Sequence, residues 1–333
     1  MFRFLLPIVL IFLLMGYPSH CGAADWVFKG QPKDGCDSYH SAEAGASARG
    51  QQAKLLDDCD AMMQKFPSSW DPKSFLEPAM KRSAILGLSS CGLVYGVDHQ
   101  QEKSNVCLNR ALELAQLLGD SAEQARILNN FGIVHALWGQ LVIALDYHGK
   151  SLSLSTGTAD QVNQVISYNQ IGQIAMFMGD YRKASEALGQ SLALQAKTSD
   201  NVQTCLTLDN LGHLNEAWGN HDRALECYGR ALELKKKLGL TGGEVASYVL
   251  LGRTYRLLGK HDAALSFFQK GLELCKKRGY PTDLVVDHIG DLYLDRGDAQ
   301  KAEEYVKRAG FWQSLGRLYL IRGDFSAAAS NYV

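Results

Sequence analysis

From residue 81 onward, apolar side chains return every three or four places. Leu208, Leu211, Leu214 and Trp218 are typical, and that spacing lays one inward stripe along a helix. Each such segment closes on a glycine and a second amphipathic segment follows at once, so the pattern predicts paired helices. Gly132, Gly172, Gly212 and Gly252 fall 40 residues apart, each followed seven residues later by Gly139, Gly179, Gly219 or Gly259. Ala144, Ala184, Ala224 and Ala264 stand five residues further on, with Leu188, Tyr228 and Phe268 four beyond the last three. The series continues through Gly290, Gly297 and Ala302, then Gly316, Gly323 and Ala328. Backwards it reaches Gly92 and Ala111, with His99 in place of the second glycine. Seven units result, the first degenerate and the last incomplete, and the interval from Gly290 to Gly316 is only 26 residues.

The two glycines ask for different explanations. The first stands inside a helix, where glycine costs about 1 kcal/mol relative to alanine, so a close approach by the neighbouring helix is expected there. The second fits the left-handed turn that ends a helix. Lys235-Lys236-Lys237 and Lys276-Lys277-Arg278 close two of the second helices, where cations complement the helix dipole.

These residues resemble the tetratricopeptide repeat (TPR). Leu251-Gly252-Arg253-Thr254-Tyr255, with Gly259, Ala264 and Phe268, shows the motif best, and Tyr181-Ala184 and Tyr319-Gly323-Phe325-Ala328-Tyr332 show parts of it. The resemblance covers residues 81–333. It departs from the family in its period, 40 instead of 34, and in lacking the closing proline; both suggest a longer second helix, similar to the repeats of kinesin light chains. The implied fold is all-α, a right-handed superhelical solenoid of antiparallel helix hairpins. The implied function is a concave groove for a protein or peptide ligand. Carried over position by position, the groove would be lined by Arg126, Asn129 and Ile133, then Ile166, Asn169 and Gln173. Next come Asp209, His213 and Glu216, then Val249, Arg253 and Arg256. Asn130 and Asn210 stand just before the glycine step, where the resemblance implies contact with a ligand backbone; an amide both donates to and accepts from an extended chain. The Lys/Asn/Arg set of carboxylate-clamp repeats is missing, with Asn129, Gln173 and Leu250 at the tested places, so a C-terminal carboxylate ligand is disfavoured.

Residues 1–24 form a different segment. Arg3, the apolar run LLPIVLIFLLM and the small residues Gly22 and Ala24 read as a secretory signal cut after Ala24. The run is shorter than the roughly 20 residues that span a bilayer. The mature chain is therefore expected to be exported, periplasmic or secreted, without stable membrane insertion. Residues 25–80 lie outside the repeats; their Gln51–Phe66 stretch, with Leu55, Leu56, Cys59, Met62, Met63 and Phe66, suits a capping helix. Lys+Arg (34) nearly equals Asp+Glu (35), which argues against nucleic acid as a partner.

Export would permit disulfides among Cys36, Cys59, Cys91, Cys107, Cys205, Cys227 and Cys275. Cys91 and Cys107 lie about equally far from the first hairpin turn and are the candidate pair. Cys36 with Cys59 is a weaker one, and Cys205 and Cys227 read as small core residues. Catalytic chemistry finds no footing. There is no C-x-x-C, no H-E-x-x-H, no phosphate loop and no dinucleotide fingerprint, so neither metal nor other cofactor is expected. His221-Asp222 and His261-Asp262 coincide because they occupy one repeat position. GLSSCG, Gly87 to Gly92, lacks the nucleophile-elbow pattern. Arg296-Gly297-Asp298 and Arg322-Gly323-Asp324 spell the adhesion tripeptide RGD, but their glycines occupy the hairpin-turn position. The expectation is a non-enzymatic interaction scaffold. The alternative is the N-terminal sensor or regulatory arm of a larger secreted or periplasmic enzyme, a CHAT-type protease or signalling domain lying beyond residue 333. Self-association through an open C-terminal end is a third expectation.

Overall fold

A computed structural model of the chain describes residues 42–66, 71, 78–195, 201–309, 312–325, 327 and 330. The expected export signal, Cys36 and most of the loop after the signal lie outside the described residues. Among the described residues there are fourteen α-helices and no strand. A leading helix, α1 (Ala42–Gln64), precedes the paired ones, beginning nine residues before the expected cap. The pairs are α2 (Pro78–Val97) with α3 (Gln101–Leu117), α4 (Ser121–Leu137) with α5 (Leu141–Gly157), and α6 (Gln161–Phe177) with α7 (Tyr181–Gln195). There follow α8 (Asn201–Ala217) with α9 (His221–Lys237), α10 (Thr241–Leu257) with α11 (His261–Arg278), α12 (Asp283–Asp295) with α13 (Ala299–Ala309), and α14 (Trp312–Ile321). The starts of α4, α6, α8 and α10 keep the 40-residue interval. Residues 49–210 belong to one compact unit and residues 211–333 to another.

The mid-helix glycines are sockets. A Cβ on Gly132 would stand 2.5 Å from the His148 ring, and one on Gly172 would stand 2.7 Å from Leu188 Cγ. Tyr228 fills the same place against Gly212, Phe268 against Gly252 and Val306 against Gly290. Each large side chain from the second helix thus rests on bare backbone of the first. The dispersion and burial so gained answer the propensity cost. In the first unit the core runs through Ile85, Leu88, Leu108, Leu114, Ile127 and Phe131. In the second it runs through Val249, Phe268, Val285, Ile289 and Leu292.

The turn glycines are conformational. Gly139, Gly179, Gly219 and Gly259 all have φ between 68° and 79°. Gly139 N donates to Ala136 O at 3.0 Å and Gln140 N to His135 O at 2.9 Å, the paired bonds that satisfy the last carbonyls of a helix. His99 and Ala159 make corresponding turns without glycine, at φ 59° and 56°. Asp120, Asp160, Asp180, Asp298 and Asp324 each accept from a backbone N–H three residues on, capping the next helix. Both RGD tripeptides are therefore turn-and-cap sequences, with Arg296 tied to Asp262 at 2.6 Å and Arg322 to Glu303 at 2.5 Å.

Lys235, in the last turn of α9, is buried and donates to Ser247 Oγ at 2.8 Å. Two expectations are corrected. Trp218 does not join the inward stripe: just past the end of α8 it is 45% exposed. Cys91 and Cys107 are not joined to each other. The reason is α1, whose Met63 Sδ accepts from Cys107 Sγ at 3.1 Å, while Cys91 Sγ lies 4.0 Å from Met62 Sδ.

Candidate partner-binding face

The expected groove residues separate into three groups. Asn129 and Asn169 belong to the interior. Asn129 Oδ1 lies 2.9 Å from His148 Nδ1 and accepts from Ser167 Oγ at 3.0 Å. Ser167 Oγ also lies 3.2 Å from Ser151 Oγ. One repeat on, Asn169 Oδ1 accepts from Thr207 Oγ1 at 2.9 Å, and Thr207 Oγ1 meets Ser191 Oγ at 3.1 Å and Gln195 Nε2 at 2.8 Å. All of these side chains are buried. The placement of the two asparagines corrects the expectation that they look outward. Each instead ties its own helix to the start of the next hairpin's first helix, through a hydroxyl 38 residues along. Ile133, Ile166, Asp209 and Val249 are buried as well. Arg126 holds Glu123 of its own helix at 2.5 Å.

Asn130, Gln173 and Asn210 form the second group. Gln173 Nε2 donates to Asn210 Oδ1 at 2.9 Å. Asn210 Nδ2 has no partner among the described residues, and neither do Oδ1 and Nδ2 of Asn130, although Asn130 is only 1% exposed. The repeat explains the difference. Gln173 stands 37 residues before Asn210, and the residue 37 before Asn130 is Leu93, whose side chain packs into apolar clusters. Asn130 thus lacks the amide that Asn210 has. A buried polar group without a partner costs about 1–3 kcal/mol.

The third group is ionic and belongs to the second unit. Arg253 meets Glu216 at 3.2 Å, and Thr254 Oγ1 donates to the same carboxylate at 2.5 Å. His213 Nδ1 lies 3.0 Å from Tyr228 Oη and 3.8 Å from Glu216. Burial opposes ionisation of Glu216, but His213, Arg253 and Thr254 outweigh it and hold its pKa below the ordinary value. Further along, Arg256 reaches Asp291 at 2.9 Å and Asp295 at 3.3 Å, and Arg317 reaches the same two at 2.6 and 2.7 Å. Two guanidinium groups face two carboxylates here. Asp287, one turn before Asp291, is pushed up to about 6 by burial, with Asp291 adding to the rise against Ser314, Arg256 and Arg317. Burial also pushes His148 and His288 down to about 3, so both are neutral at pH 7.

Arg253 and Arg256 were expected along the groove, whereas Asp291, Asp295 and Arg317, which the structure brings to Arg256 or to each other, were missed. Their signal was available: Asp291 and Arg317 each follow the socket glycine, as Gln173, His213 and Arg253 do. Among the described residues no group of three His, Cys, Asp or Glu side chains is placed to hold a metal ion. None of the described helices is long and apolar enough to cross a membrane.

Comparison with known proteins agrees with this architecture. Two tetratricopeptide-repeat models match, over residues 163–237 and residues 245–278. No curated protein sequence matches significantly. Among solved structures, aspartyl phosphate phosphatase F from Bacillus subtilis is similar at 15% identity and TM-score 0.57, over 75% of this chain and 70% of that one. A signal-transduction ATPase with a tetratricopeptide repeat sensor, from Pyrococcus horikoshii, aligns at 17% identity and TM-score 0.59, over 76% of this chain and 43% of that one. Pseudomonas aeruginosa pilF aligns at 16% identity and TM-score 0.51, over 75% of this chain and 98% of that one. At such identities the likeness is one of fold.

Proposed function

We propose that this chain, which carries tetratricopeptide repeats at residues 163–237 and 245–278, is a non-enzymatic scaffold for an extended segment of a partner protein. Asn130, Gln173 and Asn210 would hold the backbone of that segment. One observation carries the reading: Asn130 is buried with both ends of its amide unpaired among the described residues. A peptide group presents one donor and one acceptor, which is the complement such an amide lacks.

The test uses the full chain and a display library of unstructured peptides. Selected binders are measured against Asn130→Ala combined with Asn210→Ala, with Asn129→Ala as the control. The double variant is expected to bind at least about tenfold more weakly at unchanged helicity, the loss of one or two hydrogen bonds at ~1 kcal/mol each. Asn129→Ala instead lowers stability by about 1–3 kcal/mol, since it strips acceptors from His148 and Ser167. Equal binding by the double variant and the unaltered chain would sink the proposal.

A further inference from the structure

A dense sulfur cluster lies where α1 meets the first hairpin. Cys59, Cys91 and Cys107 are buried in one core cluster with Tyr95, and Met62 and Met63 pack against it. The three thiols are not equivalent. Cys107 Sγ donates to Met63 Sδ at 3.1 Å. Cys91 Sγ lies 4.0 Å from Met62 Sδ, one turn of α1 beyond Cys59, in one buried cluster with the Cys59 thiol, which together with burial pushes the Cys91 thiol up. A second contact fixes the register of the two helices at the same level. Tyr95 Oη donates to Asp60 Oδ1 at 2.6 Å, and Asp60 is the residue after Cys59 while Tyr95 is one turn beyond Cys91. Asp60 also pairs with Lys103 at 2.7 Å, but that bridge is about half exposed on both sides and holds α1 weakly.

We propose that Cys59 and Cys91 are a disulfide modification site, a covalent staple of α1 onto the first hairpin that leaves Cys107 reduced. The oxidant is a small-molecule disulfide such as oxidised glutathione. The Cys59 thiolate attacks one glutathione sulfur and expels the first glutathione thiolate. Cys91 then attacks the mixed disulfide at Cys59 Sγ and expels the second. Two protons and two electrons pass from the thiol pair to the oxidant, giving one protein disulfide and two molecules of reduced glutathione. Burial and the neighbouring thiols hold Cys91 far from ionisation, so the exchange belongs to folding, before α1 docks.

The full chain, unfolded and reduced, is refolded in a glutathione redox buffer, trapped with N-ethylmaleimide and mapped by mass spectrometry. The expected product carries two fewer maleimide adducts than the fully reduced chain, and one crosslinked peptide joins Cys59 to Cys91. Cys107→Ala keeps that crosslink and Cys59→Ser abolishes it. Adding reductant lowers the Tm of the oxidised wild type by roughly 5–10 °C, the release of a loop of about 30 residues, and leaves Cys59→Ser unmoved. Full alkylation after refolding overturns the proposal, as does a crosslink that contains Cys107.

Discussion

At Ala159 the backbone takes φ 56° without the freedom of glycine, and His99 does the same at φ 59°. A Cβ in this region costs about 1–2 kcal/mol, partly offset by the larger unfolded-state entropy of glycine. Ala159→Gly is therefore expected to stabilise the chain by about 0.5–1 kcal/mol, read as a higher urea midpoint at unchanged m-value. A lower midpoint would mean that the turn is not strained. The same contrast separates the two asparagines of α4. Asn129 and Asn130 are neighbours and both are buried, yet one accepts from His148 and Ser167 while the other meets no described partner. Their identity was readable in the sequence. Which of them faced the interior ladder depended on a fraction of a helical turn that the repeat pattern does not resolve.

Helix α5 offers the sharpest test between elements, because its socket residue is His148 where α7, α9 and α11 use Leu188, Tyr228 and Phe268. Burial holds His148 at about 3, below the 6.5 of an unfolded histidine. The unfolded chain thus binds the extra proton as pH falls below about 6.5, and stability drops by about 1.4 kcal/mol per pH unit from there toward 3. His148→Phe, which keeps the ring on Gly132, is expected to remove that slope between pH 6.5 and 5 while Asn129 retains Ser167 as a donor. An unchanged slope in thermal melts of the variant would show that His148 is not the titrating group. His288, stacked on Phe268 at 5.5 Å and also held near 3, contributes a parallel term in the other unit, which the variant leaves in place. The pairing of helices and the need for a close approach at each mid-helix glycine were both foreseeable from spacing. The chemical nature of the inserted side chain was too, since it lies four residues after the alanine. Its hydrogen bond to Asn129 of α4 was not, because that contact joins residues 19 apart in sequence.

Taken whole, a chain of hairpins in which each contacts mainly its neighbours unfolds locally. Gly252→Ala drives a methyl into the fully buried Phe268 ring, which is expected to cost about 1–3 kcal/mol in overpacking. Hydrogen exchange should accelerate in α10 to α12, within residues 211–333, and stay unchanged across residues 78–195. Acceleration throughout both regions would show a single cooperative transition in place of local ones.

Spacing, turn glycines and capping aspartates are local properties, so the amino-acid order alone fixed the helices, their pairing and the repeat they build. Contacts between helices are another matter. The inward ladder of Asn129 and Asn169, the burial of Lys235, the reach of Arg317 to Asp291 and the packing of Cys91 against Met62 were decided by tertiary structure. Each depends on which side of a helix meets which neighbour, and a side chain's rotation by a fraction of a turn exchanges interior for surface.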